Sequence, residues 1–284
     1  MNNYLLPEDD GLQMRPCGAW TAIKLDYLAR YINIFEKAMR GKWQLRNYID
    51  LLAGPGKNRV KDTKKVFFGS PLVALTTTHP FTGYYFIEKD PNNKAALEKR
   101  CMSSPLYESL DIKEGDCNKL IDEVVLELRK TEIISLNMAF LDPQGMELEW
   151  NTVAKMASVK RMDLIIYYPL YGLTRNMPKL CESDGVTSID NFFGGFEWRR
   201  IYLSNRHKPT LHRHLIDLYK SNLSALNYTE VFSGDENLGD EPLIRNQIKN
   251  SRLYHLIFAS KHKLGHEFWR KVIRRDVDGQ LRML

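Results

Sequence analysis

Cysteine is scarce and scattered in this 284-residue chain. Its four cysteines, Cys17, Cys101, Cys117 and Cys181, form no Cys-x-x-Cys pair. That spacing writes neither a zinc ribbon nor a dithiol redox centre, and isolated thiols suit a reducing, cytoplasmic setting. His262 and His266 stand four apart but lack the glutamate that follows the first histidine of a zinc protease, so no metal site is expected. No apolar run approaches the about 18 residues of a membrane helix. The first 13 residues carry Glu8, Asp9 and Asp10 and no apolar stretch, which excludes a signal peptide and reads as a flexible leader. Two signatures are also missing: the Gly-x-x-x-x-Gly-Lys-Ser/Thr phosphate loop and the Gly-x-Ser-x-Gly elbow of hydrolases.

What is present suffices for one large α/β domain. Hydrophobic residues make up 43% of the chain, enough for a full core, and the net charge of +6 favours a polyanionic partner. From Ala19 to Arg40, Leu28, Tyr31, Ile32, Phe35 and Met39 recur at helical spacing. Short apolar strands then alternate with helices. The strands are read at Asn47–Asp50, Tyr84–Glu88, Ile112–Asp116, Met138–Asp142 and Met162–Pro169. Such alternation means βαβ units, with every strand's carboxyl end on one edge. Lys57 to Lys65 reads as a polar loop, and Ser70 as the cap of a helix with Pro71 at its first position. Tyr228–Phe232 and Leu253–Ala259 read as two further strands, antiparallel at the sheet edge.

Asn47-Tyr-Ile-Asp-Leu-Leu-Ala-Gly-Pro-Gly56 carries the most information. A strand enters an acid, Asp50, and then a turn in which Gly54 and Gly56 permit tight bending and close approach to a ligand. A dinucleotide fingerprint would need a third glycine, which Lys57-Asn-Arg59 does not supply. Glu88, Asp116 and Asp142 then end successive strands on the same edge. Lys57 and Arg59 stand beside the turn, in reach of phosphate contacts, and Tyr168 and Tyr171 follow the fifth strand as candidate stacking platforms.

The pattern resembles the S-adenosylmethionine-dependent methyltransferases with a Rossmann-like sheet. A narrower resemblance rests on Lys24-Leu-Asp-Tyr-Leu28, Tyr48 to Gly56, Gly69-Ser-Pro71, Phe86-Ile-Glu88, Gly115-Asp-Cys-Asn118, Leu141-Asp-Pro-Gln-Gly145, Phe193-Gly194 and Trp198, in that order. These look like the three-Cys-motif partner family of predicted methyltransferases, over about residues 20 to 260. The resemblance implies a donor site formed by Asp50, Ala53, Gly54, Pro55, Gly56, Glu88, Asp116 and Cys117, with Glu88 on the ribose hydroxyls and Asp116 and Cys117 at the adenine edge. It implies Asp142 as the catalytic group, flanked on the acceptor side by Pro143 and Gln144. The family usually has Phe at the position of Leu52, and Phe or Tyr at that of Gln144.

The expected architecture is therefore an α/β class I methyltransferase sheet, mostly parallel, with helices on both faces and an antiparallel strand near the C-terminal end. Its divisions are a leader (1–18), the first part of the domain (19–173), an insertion on the ligand edge able to serve as a lid (174–208), and the second part (209–284). The expected function is methyl transfer from S-adenosylmethionine to a nucleic-acid base, RNA or DNA, in the cytoplasm, with a three-cysteine protein as a candidate partner. The alternative, which Gln144 favours, is a catalytically silent cofactor-binding or interaction protein working with a partner.

Overall fold

The computed structural model describes residues 6–61, 63–228, 240–246 and 248–274. In chain order, β1 (Arg15–Cys17) and α1 (Thr21–Met39) precede β2 (Arg46–Asp50), and a hairpin of β3 (Lys57–Val60) and β4 (Val66–Phe68) follows the glycine turn. Then come α2 (Ser70–Leu75), β5 (Gly83–Glu88), α3 (Pro91–Cys101), β6 (Leu110–Glu114) and α4 (Cys117–Arg129). Next are β7 (Leu136–Leu141), α5 (Trp150–Ala157) and β8 (Met162–Tyr168). Four helices follow: α6 (Leu170–Leu180), α7 (Ser188–Phe193), α8 (Glu197–Asn205) and α9 (Leu211–Ala225). β9 (Leu243–Arg245), β10 (Arg252–Ala259) and α10 (Lys263–Ile273) complete the described chain.

Seven strands form one sheet in the order β6-β5-β2-β7-β8-β10-β9. The pairs from β6 through β8 are all parallel, and β10 runs antiparallel to both β8 and β9. Strand order reverses at β2, whose neighbours are β5 and β7. A crevice opens at such a switch point, beyond the carboxyl ends of the strands. The mostly parallel α/β sheet, with its antiparallel strand late in the chain, matches the expected architecture.

Each face of the sheet has its own core. β2 shows why: Tyr48 packs with α1, α2 and α10, while its neighbour Ile49 packs with α4 and α5 on the opposite face. This alternation with period two makes a buried parallel strand apolar throughout. α1 is fixed by Tyr31, whose hydroxyl donates to Asp163 at 2.7 Å, and by Glu36, which accepts from Arg46 at 2.8 Å. Those anchors hold the start of α1 over the carboxyl edge.

Three readings change. The segment after Gly56 is not a loop but the β3–β4 hairpin, which joins β1 in a small three-stranded sheet. β1 lies within the expected leader, and Asp10 ahead of it is anchored: it pairs with Lys57 at 2.8 Å and with Arg100 at 2.7 Å. Gly69, not Ser70, occupies the cap position of α2, with Ser70 already helical and buried. The segment 174–208, expected as an insertion, holds most of α6 together with α7 and α8, tied by a capping box at Thr187 and by Asp190, which accepts from Trp198 Nε1 and Arg199 Nε at 2.9 Å each. Most of the expected strand 228–232 lies outside the described residues.

Candidate functional site

β2 runs into the turn that forms the floor of the crevice. Gly54 and Gly56 both adopt left-handed conformations, with φ of +68° and +85°. Ala53 N–H donates to Ile87 O at 2.9 Å, and Gly54 N–H donates to Glu88 Oε2 at 2.6 Å, so the turn is fastened to the end of β5. The two glycines do different work. A Cβ on Gly56 would meet Leu97 and Leu72 in the core, at 3.0 and 3.2 Å. A Cβ on Gly54 would meet the guanidinium of Arg15 at 2.9 Å, in the crevice.

Asp50, expected to reach a polar ligand group, is 0% exposed and lines neither chamber described below. It lies under the turn, where its Oδ1 accepts from Leu52 N–H at 3.2 Å. Burial raises its carboxyl pKa to about 7, against the opposing pull of the Ser70 hydroxyl and the Leu52 N–H. Its place is structural: it shapes the turn from below.

Two chambers open above the turn. The larger, of about 490 Å³, is lined by Leu52, Glu88, Asn93, Asp116, Cys117 and Glu147, among others. Glu88 Oε1 accepts from Asp90 N–H at 2.9 Å, which with the Gly54 contact leaves its carboxylate well ordered. Asp116 caps α4 through Asn118 N–H at 3.0 Å. Partial burial works to raise its pKa, but the Asn118 N–H and the Lys89 ammonium outweigh it and hold the group below the usual carboxylate value. Cys117 is the first residue of α4, and burial pushes its thiol up to about 12, so it presents a neutral S–H.

The smaller chamber, of about 270 Å³, lies between the start of α1 and the glycine turn. Ala53, Pro55, Asp142, Pro143, Tyr167 and Tyr254 are in its wall. Lys24 Nζ reaches from α1 to Asp142, 2.6 Å from Oδ1 and also bonded to Oδ2. The same ammonium lies 5.6 Å from the ring centres of both Tyr167 and Tyr254, which are 4.6 Å from each other. A cation between two rings and a carboxylate is held by charge and by both ring faces. The loop after Asp142 is shaped by Glu147, whose carboxylate accepts from the N–H groups of Gln144 and Gly145 at 2.6 and 2.7 Å. Asn118 braces that loop by donating to Glu147 O at 2.7 Å.

Glu88, Asp116, Cys117, Asp142, Gln144 and the glycine turn thus come together at one crevice. Of the remaining acceptor-side candidates, Pro143 joins them in the wall of the smaller chamber, and Tyr168, Tyr171, Lys57 and Arg59 do not. Tyr168 is 0% exposed and packs on the far face of the sheet against Phe192 and His212. Tyr167, one residue earlier, points into the chamber instead. Tyr171 is 54% exposed on α6 and lines neither chamber. Lys57 is buried and its ammonium is taken by Asp10 and by Glu8 O at 2.9 Å. Arg59 pairs with Asp9. Lys57 holds the N-terminal segment down, Arg59 stands in a surface pair at 46% exposure, and neither lines a chamber. Sequence reading missed Arg15, Lys24, Tyr254, Glu147 and Asn118 as site residues. Lys24 stood inside a quoted motif, but nothing in the spacing tied it to Asp142.

No protein-family model and no curated protein matches the chain. Solved structures do resemble it. A Legionella pneumophila protein of the DUF519 family is 11% identical over 90% of each chain, with a TM-score of 0.47. A Bacillus cereus O-methyltransferase in complex with SAH is 8% identical over 88% of this chain and 85% of its own, with a TM-score of 0.46. An O-methyltransferase assigned as such in Klebsiella pneumoniae is 6% identical over 85% and 89%, with a TM-score of 0.43. These are likenesses of outline, and the functional reading rests on the crevice itself. Among the described residues, no helix is long and apolar enough to cross a membrane.

Proposed function

We propose that this protein transfers a methyl group from S-adenosylmethionine to an acceptor held beside Asp142. One observation carries the reading. The larger chamber is walled by five carboxylates, Glu88, Asp90, Asp116, Asp142 and Glu147, against two cations, Arg15 and Lys89. That wall repels a pyrophosphate and so disfavours a dinucleotide, but it suits a nucleoside that carries a sulfonium charge. The size of the chamber is in the range of small-molecule sites.

In this reading Glu88, ordered by the Gly54 and Asp90 N–H groups, accepts from the ribose hydroxyls. Asp116 and Cys117 border the adenine, and Ala53 to Gly56 give a floor without side chains at Gly54. When bound, S-adenosylmethionine supplies an electrophilic methyl group on a positively charged sulfur. Asp142 accepts a hydrogen bond from the acceptor's N–H or O–H, which aims the lone pair and takes up the proton as the bond forms. Lys24 orients that carboxylate.

For the acceptor, a nucleic-acid base is the class to test. The net charge of +6 and the aromatic wall of Tyr167 and Tyr254 support it. Lys57, Arg59, Tyr168 and Tyr171 lend it nothing, for the reasons given above. The resemblance to the three-Cys-motif partner family adds a companion protein to the assay.

The test is calorimetric titration with S-adenosylmethionine and S-adenosylhomocysteine, followed by methyl transfer to RNA and DNA. Micromolar binding that weakens about tenfold or more in Glu88→Ala is expected. Absence of binding by the folded protein would defeat the reading and leave the silent interaction protein as the better account.

A further inference from the structure

The two chambers share three lining residues, Arg15, Asp142 and Gln144. Two of them belong to the strand end and loop of β7. Arg15 alone of the three comes from the N-terminal strand β1 and crosses the crevice above Gly54. Its guanidinium therefore stands where any ligand spanning both chambers has to pass.

The contacts of Arg15 there are weak ones. Its Nη2 is 3.8 Å from Glu88 Oε2, beyond hydrogen-bond length. With the Gln144 amide turned so that its oxygen faces the guanidinium, Gln144 accepts from Nη2 and Nε at 3.3 Å. A guanidinium fork matches a carboxylate at two points, and here neither contact provides that match. Of the other cations on the two chambers, Lys24 is engaged with Asp142 and Lys89 with Asp116, while Lys61 lines the smaller chamber only.

The backbone carrying Arg15 is, by contrast, firmly held. Arg15 is paired in register with Asn58 of β3. Just before it, Arg100 Nη1 donates to Gln13 O at 2.8 Å, and Arg100 also bonds Asp10 and Pro55 O. The same buried arginine thus ties the N-terminal segment to the glycine turn. A fixed backbone with a long, loosely bonded cationic side chain is suited to swing without moving the fold.

We propose that Arg15 is the receptor for the α-carboxylate of the donor's amino-acid tail, and that it lifts off Gly54 to make that contact. The inference rests on the methyltransferase reading. It makes Arg15 a specificity residue: it selects nucleosides that bear an amino-acid carboxylate over those that do not. Glu88 and the larger chamber would hold the nucleoside part either way.

The experiment is calorimetric titration of the full chain with two ligands, S-adenosylhomocysteine and 5′-methylthioadenosine, which lacks the amino-acid tail. In Arg15→Met, affinity for S-adenosylhomocysteine should fall about tenfold or more, the loss expected for a charge-assisted bidentate contact. Affinity for 5′-methylthioadenosine should stay within about twofold of wild type. Arg15→Lys should fall between wild type and Arg15→Met for the first ligand only. Equal weakening of both ligands would show that Arg15 merely supports the fold, and unchanged binding of S-adenosylhomocysteine would remove it from the site; either overturns the proposal. A wild-type protein that bound neither ligand would sink the methyltransferase reading itself, which is a different failure.

Discussion

Lys24 and Asp142 meet across 118 positions of sequence, with Nζ 2.6 Å from Oδ1 and both side chains nearly buried, at 12% and 7% exposure. Both groups are largely shielded from bulk water, so each depends on the other. Removing one partner of such a pair leaves a buried charge and costs about 3–5 kcal/mol, whereas removing both costs less. Lys24→Met should therefore destabilise strongly, and adding Asp142→Asn should recover about 1–3 kcal/mol as a coupling energy. Urea unfolding of the two single variants and the double variant measures this. Strictly additive losses would mean that the pair does not interact in solution.

The same pair marks the boundary of what the sequence could reveal. The glycine turn, Glu88, Asp116 and Asp142 were legible because parallel strands place their carboxyl ends on one edge. Each of these residues needed only local pattern to be found. Lys24 and Arg15 were not legible in this way, since their partners lie on strands that only the folded sheet brings near. Tyr167 and Tyr168 show a finer limit. Period two says that they face opposite sides of β8, but not which side holds the crevice. The cationic run from Lys57 to Lys65 misled for a related reason: acids of the N-terminal segment, Asp9 and Asp10, neutralise Arg59 and Lys57.

Catalysis should separate from donor binding at Asp142. The carboxylate lies at the junction of both chambers but is bonded to Lys24, not to the floor that would carry the nucleoside. Asp142→Asn, which keeps shape and an acceptor oxygen, should retain S-adenosylhomocysteine affinity and lower the transfer rate by about 10²–10⁴, the range for loss of a positioned base. Single-turnover transfer with a methyl-labelled donor, alongside calorimetry, reads both quantities. Undiminished transfer would remove Asp142 from the chemistry.

Gly54 and Gly56 should fail differently when given a methyl group. Both require left-handed backbone, which costs a residue with a Cβ about 1–2 kcal/mol. Gly56→Ala also presses on Leu97 and Leu72, and overpacking adds about 1–3 kcal/mol. Gly54→Ala presses only on the end of Arg15, a side chain able to move, so its stability loss should be the smaller one. Its cost should fall instead on donor affinity, because the new methyl stands on the crevice floor. Thermal unfolding and calorimetry of the two variants test the contrast; equal profiles would show that the glycines are interchangeable.

Asp50 sets a pH dependence of known sign. Its pKa is 3.8 in a solvated reference and about 7 in the fold, raised by burial. Between those values the unfolded chain releases a proton that the native protein keeps. Stability therefore falls as pH rises from about 4 to about 7 and is level beyond. At about 1.4 kcal/mol per pH unit, the accumulated penalty reaches at most about 4 kcal/mol. Asp50→Asn should remove it, because the amide oxygen can still accept from Leu52 N–H while no charge is ever buried. The variant should match or trail wild type at pH 4 and gain on it steadily until about pH 7, with a constant advantage above. Denaturant unfolding of both proteins across that range isolates the group together with its coupling to Asp142, since the titrations away from the turn are common to the pair. A difference in stability that did not change with pH would mean that Asp50 is solvated in the native state, and that the turn above it is open.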